Sequence, residues 1–410
     1  MRIAIIGGGA AGCFAAANIP RQQGREVVVF ERSARPLQKV KVSGGGRCNV
    51  THACFDVPEL IGRYPRGKQL LKKTLYRFSP KETIEWFAAR GVTLKTEADG
   101  RMFPSTDDSQ TIIDCLRQEM DRQGVDIRYH HQLSRLERTE SGFVLHFSSG
   151  GSYAADKALV ACGGFPKPEA YDWLQACGHT LQPPVPSLFT FNIPGHPVTK
   201  LMGISVPDAV VKIAGTKFRE QGPVLITHWG MSGPAVLRLS AWAARELHTR
   251  DYHFTILVNW LGDTRDEALQ EQIATLRRDN GRQLVSHKNP FGLPARLWEY
   301  FTQCAGVPED MRWGDLTAEC RRRLCMHLLQ DSYEVKGKTT FKEEFVTCGG
   351  IPLSEVNPQT MESRIVPGLY FAGEILDVDG ITGGFNFQHA WSSGWIAAQA
   401  MVSAGCTANS

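Results

Sequence analysis

The apolar and polar positions change rhythm along the chain, and each change marks an element. Arg2–Ile6 (RIAII) is a short continuous apolar run, the signature of a buried strand, and a glycine turn follows at once. Residues 10–19 (AAGCFAAANI) are small and helix-tolerant, and Glu26–Phe30 (EVVVF) reads as a second buried strand. Residues 35–51 (RPLQKVKVSGGGRCNVT) show neither period and predict an ordered loop that something approaches closely. Residues 68–90 repeat apolar positions at helical spacing, with Pro80 opening their second half. Asp107, Asp108 and Ser109 precede TIIDCLRQEM, so one of them caps that helix while the acids favour its positive end. Strands are predicted at 126–129, at Gly142–Phe147, where alternation is clear, and at 157–161, which runs into Cys162-Gly163-Gly164. Strand, helix and strand in this order predict a parallel sheet with a small antiparallel insertion.

Prolines at 183, 184, 186, 194 and 197 mark a border. Extended segments follow between 188 and 261 (LFTFNI, AVVKIAG, PVLITHWG, YHFTILVNWL), and then amphipathic helices between 264 and 331. The end of the chain returns to the opening style, with a strand at 368–372, Gly373-Glu374, a glycine turn at 383–384 and a last helix at 387–401. The economical organisation is an α/β fold whose Rossmann-like domain is split in sequence. Residues 1–186 and 336–410 make its two parts, and the insert has a mostly β, barrel-like section (187–262) and a helical section (263–335). No internal repeat is visible.

The chain of 410 residues, 42% apolar and 21% charged, has the composition of a soluble globular protein of two or three domains. No apolar run approaches the length of a membrane span, and with a strand opening at residue 2 neither a leader nor an anchor is expected. The 11 cysteines show no C-x-x-C pair or metal spacing, which predicts reduced thiols, a cytoplasmic setting and no metal site. Net charge is only +4, but no acid occurs between Glu59 and Glu82. That window holds Arg63, Arg66, Lys68, Lys72, Lys73, Arg77 and Lys81, interleaved with Tyr64, Tyr76 and Phe78. Such a segment (63–81) either tracks phosphates or forms a solvated helix face.

The strongest chemical signal is Gly7-Gly8-Gly9-Ala10-Ala11-Gly12, a G-x-G-x-x-G between a strand and a helix. Gly7 permits the tight turn, Gly9 the close approach of a phosphate and Gly12 the contact of helix on strand, while the N–H groups opening at Ala10 and Ala11 face the pyrophosphate. Glu31 ends the second strand nineteen positions beyond Gly12, where a carboxylate accepts both ribose hydroxyls of an adenosine. This motif alone does not separate NAD from FAD. The carboxyl end favours FAD, because Glu374 suits ribityl hydroxyls and the last helix aims its positive end at a flavin pyrimidine. The chain holds one complete glycine fingerprint, so NADH or NADPH is expected only as a transient hydride donor.

The blocks SGGGRCNVTH (43–52), GRMFP (100–104), THWGMSGPAVLRLS (227–240), TCGGI (347–351) and LYFAGEILDVDGITGGFNFQHAWSSGWIAA (369–398) resemble the YhiN/BaiN family of FAD-dependent oxidoreductases over essentially the whole chain. The resemblance implies FAD in a split glutathione-reductase-like domain with an inserted β-barrel and a helical section. It also implies reduction of an activated carbon–carbon double bond, either in an oxo-bile acid or in a uridine of large-subunit ribosomal RNA. Carried over by position, the opening glycines, Glu31 and Arg32 hold the ADP half; Ser43, Gly44, Gly45, Arg47, Cys48 and Asn49 line the flavin; Gly373, Glu374, Phe385 and Asn386 take its ribityl and pyrimidine ends. Lys39, Leu133 and Gly163 complete the implied contacts. The chain departs from its relatives at Leu37-Gln38, where Gly-Arg is frequent before Lys39, and at Trp229, where Arg is frequent.

Reducing an enone or a uracil needs hydride at one carbon and a proton at the next. Cys48 is one candidate acid, or else a small residue packed under the ring; His389 is another, or else a helix-packing histidine, and His52 and His228 are weaker choices. Arg47 pairs with phosphate or a flavin carbonyl unless it lies on the surface. Three classes of function follow: a reductase acting on rRNA or on a small enone, a partner-dependent flavoprotein without its own catalysis, and an oxygen-inserting hydroxylase.

Overall fold

The computed structural model describes residues 1–340 and 346–403, which form two compact units. The first contains Met1–Ser187 with the carboxyl-terminal segment, and the second is Leu188–Thr340.

The first unit is built on a five-stranded parallel sheet in the order Leu369–Phe371, Lys157–Val160, Arg2–Ile6, Glu26–Phe30, Asp126–Arg128. Its central strands are buried after their first residue, which is why they read as unbroken apolar runs. From Arg2–Ile6 the chain builds outward on one side, then crosses to build on the other, so a topological switch point lies beside the first strand. The helix Ala10–Ala17 is buried from Ala11 onward and packs on the last helix, Phe385–Ser403. The Phe14 and Trp391 rings lie 5.1 Å apart, and a Cβ on Gly394 would sit 2.7 Å from the Ala11 carbonyl oxygen. The first and last described helices thus share one core. The last helix is buried on most of its surface, so its polar side chains need internal partners: Gln388 accepts from Thr51 (2.6 Å) and Thr83 (2.9 Å) and donates to Ser392 (3.0 Å).

Several local predictions are refined. Residues 68–90 form two helices, Lys68–Leu75 and Pro80–Ala88, because Ser79 and Glu82 make a reciprocal capping box around Pro80. Asp108 caps Ser109–Gln123 by accepting from the Gln110 N–H at 2.9 Å. The antiparallel insertion has three strands, Leu133–Thr139, Gly142–Phe147 and Ser152–Ala155, the outer two hidden from pattern reading by exposed charged or small residues. The predicted loop at 35–51 contains a helical stretch, Gln38–Gly46, broken at Ser43, Gly44 and Gly45 by non-helical backbone.

The second unit is a seven-stranded antiparallel sheet in the order Asp331–Lys336, His253–Asn259, Ser205–Ile213, Arg219–Thr227, Gly230–Ser232, Thr190–Asn192, Lys338–Thr339. Its two outermost strands are joined by Gly337 alone (φ +94°), so the sheet must curl until its edges meet. Helices Asp266–Asp279, Ala295–Cys304 and Ala318–Leu329 pack into the same core, where Trp260 lies 5.9 Å from Phe301 and 6.4 Å from Tyr333. The β and helical sections of the insert are therefore one body. The strand Asp331–Lys336 begins in the section predicted to be helical (263–335) and runs past its end, and its alternating burial carries the sheet's period. Among the described residues no helix is long and apolar enough to cross a membrane.

Candidate cofactor site

Four neighbouring strands end at one rim of the first unit, and each is followed by glycine or a carboxylate. Gly7 follows Ile6, Glu31 follows Phe30, Gly163-Gly164 come after Lys157–Val160, and Gly373-Glu374 come after Leu369–Phe371. Gly7 holds φ +109° and donates its N–H to the Phe30 carbonyl at 2.9 Å, and a Cβ there would lie 2.6 Å from the Ala161 oxygen. At Gly12 a Cβ would lie 2.0 Å from the Gly7 oxygen, so only glycine lets this helix touch its strand. Gly9 is different: its backbone is extended (φ −86°, ψ −170°), and a Cβ there would meet nothing within 4 Å. Open space also faces Gly163 (φ +76°) and Gly45 (φ +69°). No side chain caps Ala10–Ala17, which leaves the first-turn N–H groups at Ala10 and Ala11 and the positive end of the helix to a bound anion.

The Glu31 carboxylate is pinned, accepting from the Gly8 N–H at 2.8 Å and from Ser33 N–H (2.8 Å) and Oγ (2.7 Å). Arg32 is exposed beside it, 6.0 Å from the Phe165 ring. Leu133 pairs with Phe147, whose ring lies 4.7 Å from Phe30, so an apolar floor borders the acid. Along the rim, Glu374 accepts from the Thr347 N–H at 2.8 Å and pairs with Lys39 Nζ at 2.8 Å.

At the far end, the 43–49 loop meets the turn before the last helix. Cys48 donates its N–H to Ser43 at 2.9 Å, and a Cβ on Gly44 (φ +59°) would lie 2.9 Å from the Phe103 ring. The Asn49 amide accepts from the Gly384 N–H and donates to the Thr51 carbonyl, both at 3.0 Å. Asn386 closes the turn by accepting from Gly380 N–H (2.8 Å) and donating to its carbonyl (3.1 Å). Phe385 stacks on His52 with centroids 4.8 Å apart, and its carbonyl accepts from the buried Tyr64 hydroxyl at 2.7 Å.

Four predicted residues occupy environments that change their chemistry. Arg47 is held by carboxylates, 2.5 Å from Glu97 and 3.6 Å from Asp107, with its guanidinium 4.0 Å from the Phe103 centroid; the hydrogen bond to Glu97 raises its already high pKa. Its Nη1 serves these carboxylates and its Nε the Gly44 carbonyl at 3.4 Å, while the side chain stays about one-third exposed. Cys48 has no exposed surface, and burial pushes its thiol up to about 12. His389 is buried, with Nε2 3.2 Å from the Gly373 carbonyl and Nδ1 without a partner; burial pulls its pKa down to about 4. Neither candidate acid has a surface from which to deliver a proton. His52 is half-buried and held near neutral form by burial, with Nε2 3.1 Å from the Asp99 carbonyl.

Sequence reasoning missed Thr347, whose backbone holds Glu374 and whose Oγ1 is buried without a partner, and Gly164, where a Cβ would lie 2.5 Å from that oxygen. It also missed the buried Arg66–Asp379 pair, to which Ser187 donates at 2.7 Å. The TCGGI block was the available signal for Thr347, and the 369–398 block contains Asp379, but nothing local pairs that acid with Arg66. Among the described residues no cluster of side chains suits a metal.

These features fit a flavin dinucleotide: a glycine cradle open where a Cβ would find space, an uncapped helix end between two carboxylates, and a second helix end at the far side. Comparison with known proteins agrees in scale. The chain is 32% identical over 411 residues to a ribosomal RNA dihydrouridine synthase of Escherichia coli, covering 98% of both chains. It is 30% identical over 416 residues to a 3-dehydro-bile acid delta(4,6)-reductase of Clostridium scindens, covering 97% of this chain and 98% of the relative. Among solved structures, a 3-ketosteroid-delta4-(5alpha)-dehydrogenase from Rhodococcus jostii shares the fold at a TM-score of 0.51 and 13% identity, covering 97% of this chain and 96% of that one. A family profile described as HI0933-like protein Rossmann domain matches residues 1–400, and the chain belongs to that family.

Proposed function

We propose that the protein is an FAD-dependent oxidoreductase that uses NADH or NADPH to reduce an activated carbon–carbon double bond, and that its substrate is a uridine of large-subunit ribosomal RNA. The observation that carries the flavin assignment is the strand-end rim, where Gly9 leaves room beside an uncapped helix end between Glu31 and Glu374. On this reading Glu31 takes the ribose hydroxyls, the Ala10 and Ala11 N–H groups take the pyrophosphate, and Glu374 and Lys39 take the ribityl chain. The N–H groups opening Phe385–Ser403 face the pyrimidine end and stabilise negative charge there. Bound in this cradle, the flavin supplies hydride to one carbon of the double bond. The chain orients both partners and excludes bulk water. With Cys48 and His389 buried, the proton for the second carbon comes from half-buried His52, stacked on Phe385 at the ring end, or from water admitted with the substrate.

The substrate assignment rests on whole-length similarity to proteins of Escherichia coli and Haemophilus influenzae named ribosomal RNA dihydrouridine synthases, at 32% and 30% identity. The bile-acid reductase of Clostridium scindens, at 30%, supports a second reading in which the substrate is a small enone. Two experiments test these readings. Anaerobic addition of NADH or NADPH should bleach the flavin, and failure of both donors would leave only a partner-dependent flavoprotein. A dihydrouridine map of rRNA from a deletion strain should lack one site; an unchanged map redirects the search to small enones.

A further inference from the structure

The basic window at 60–81 divides in a way its sequence does not show. Its arginines are engaged within the chain: Arg63 with Glu59 at 2.7 Å, Arg66 with the buried Asp379, and Arg77 with the Gln359 carbonyl and the Trp395 ring. Its aromatics divide too, because Tyr64 and Phe78 are core residues while Tyr76 is 63% exposed, the most exposed large hydrophobic side chain among the described residues. Lys72 and Lys73 are exposed, with no carboxylate partner among the described residues, whereas the exposed Lys81 lies beside the Glu82 carboxylate. Lys72 and Tyr76 are four apart on the helix Lys68–Leu75 and its cap, so they lie on one stripe about 6 Å apart along the axis. Lysine charge beside a bare ring, with no acid in the window, suits a strand of phosphates carrying unstacked bases. An acidic peptide would use the lysines and leave the ring idle.

The start of this helix is tied to the ring end of the cradle. The Ile381 N–H donates to the Arg63 carbonyl at 3.0 Å, Tyr64 donates to Phe385, Arg66 holds Asp379, and a Cβ on Gly67 would lie 2.7 Å from Val378. A strand lying on Lys72 and Tyr76 is therefore within about one helix length, ~12 Å, of a segment that braces the turn before Phe385. We infer that Lys72, Lys73 and Tyr76 form the surface that holds single-stranded RNA next to the reduced base. This rests on the rRNA reading above. The lysines bind backbone phosphate and Tyr76 stacks on a flanking base, so this face selects RNA over a free nucleoside or a small enone.

The test is fluorescence anisotropy of a labelled uridine-containing single-stranded RNA titrated with full-length holoprotein at several salt concentrations. Lys72→Ala/Lys73→Ala should weaken binding about tenfold and flatten the log–log salt dependence by about 1.4, the loss of two single-strand phosphate contacts. Tyr76→Ala should lose about tenfold while Tyr76→Phe stays within about twofold of wild type, since stacking needs the ring and not the hydroxyl. Arg282→Glu/Lys288→Glu, exposed basic residues of the other unit, should bind as wild type. Flavin content and melting temperature show that each variant is folded. Wild-type RNA binding that survives the Lys72, Lys73 and Tyr76 changes, or is lost only on changing Arg282 and Lys288, overturns the surface while leaving the rRNA reading intact. A wild-type protein that binds no RNA, together with an unchanged deletion-strain map, overturns both.

Discussion

Placing the same methyl group at Gly9 and at Gly12 should give opposite results. At Gly12 the new Cβ would sit 2.0 Å from the Gly7 carbonyl oxygen, where real contacts stay beyond 3.0 Å, so helix and strand must separate by about an ångström. Overpacking of this kind costs about 1–3 kcal/mol, or roughly 2–12 °C in Tm for a unit of this size. At Gly9 the backbone is already extended and the methyl meets nothing within 4 Å. The apoprotein of Gly9→Ala should therefore melt within about 2 °C of wild type, because the poorer N-cap preference of alanine, roughly 0.5–1 kcal/mol, is offset by the about 0.4–1 kcal/mol gained from a less flexible unfolded chain. The same methyl would hold a pyrophosphate away from the helix N–H groups. Losing one charge-assisted hydrogen bond, about 1.5–3 kcal/mol, weakens FAD binding by roughly 10–150-fold. With FAD at a hundred times the wild-type Kd, ligand stabilisation is about 2.7 kcal/mol for wild type and about 0.4 kcal/mol for a variant bound a hundredfold more weakly. Thermal melts with and without FAD, read beside the flavin's visible absorbance, measure both quantities. Retention of normal FAD affinity by Gly9→Ala, or a wild-type melt for Gly12→Ala, would refute the reasoning.

Truncating one partner of the buried pair, as in Arg66→Ala, strands the Asp379 carboxylate and should cost about 3 kcal/mol by chemical denaturation; Arg66→Met/Asp379→Leu should recover most of it. His389 is neutral in the fold, with a pKa near 4 against 6.5 unfolded, so its contribution is complete above about pH 6.5 and is lost as pH falls toward 4. That loss is about 3 kcal/mol, and His389→Gln should flatten the stability–pH curve in this window. Cys48→Ala should keep its flavin and lose less than about tenfold in kcat, since the thiol has no exposed surface; a loss above a hundredfold in steady-state assays would restore Cys48 as the acid.

The parts of this fold that were legible from sequence are those made by neighbours in the chain. Arg2–Ile6, the glycine turn and Glu26–Phe30 form within thirty-one residues, and their apolar runs and glycines are local signals. The close of the chain, Leu369–Phe371 to Phe385–Ser403, was legible for the same reason. Leu133–Thr139 was not, because a strand at the surface with charges at Arg135, Glu137 and Arg138 has no apolar alternation to read. The helical stretch at Gln38–Gly46 was hidden by its three glycines, two of which break it. Leu37 adopts φ +59°, a backbone conformation that favours glycine, while its buried side chain packs in the core. Charge pairs were least accessible. Arg47 with Glu97 and Arg66 with Asp379 join residues 50 and 313 positions apart, and only tertiary packing decides whether an arginine serves a ligand or a carboxylate.

A crystal structure of the protein soaked with FAD tests the central claim most directly. The account predicts one flavin per chain, with its pyrophosphate at the Gly9–Ala11 N–H groups, its adenosine ribose on Glu31 and its pyrimidine end at the start of Phe385–Ser403. A flavin bound elsewhere, or a rim that stays empty at saturating FAD, would contradict it.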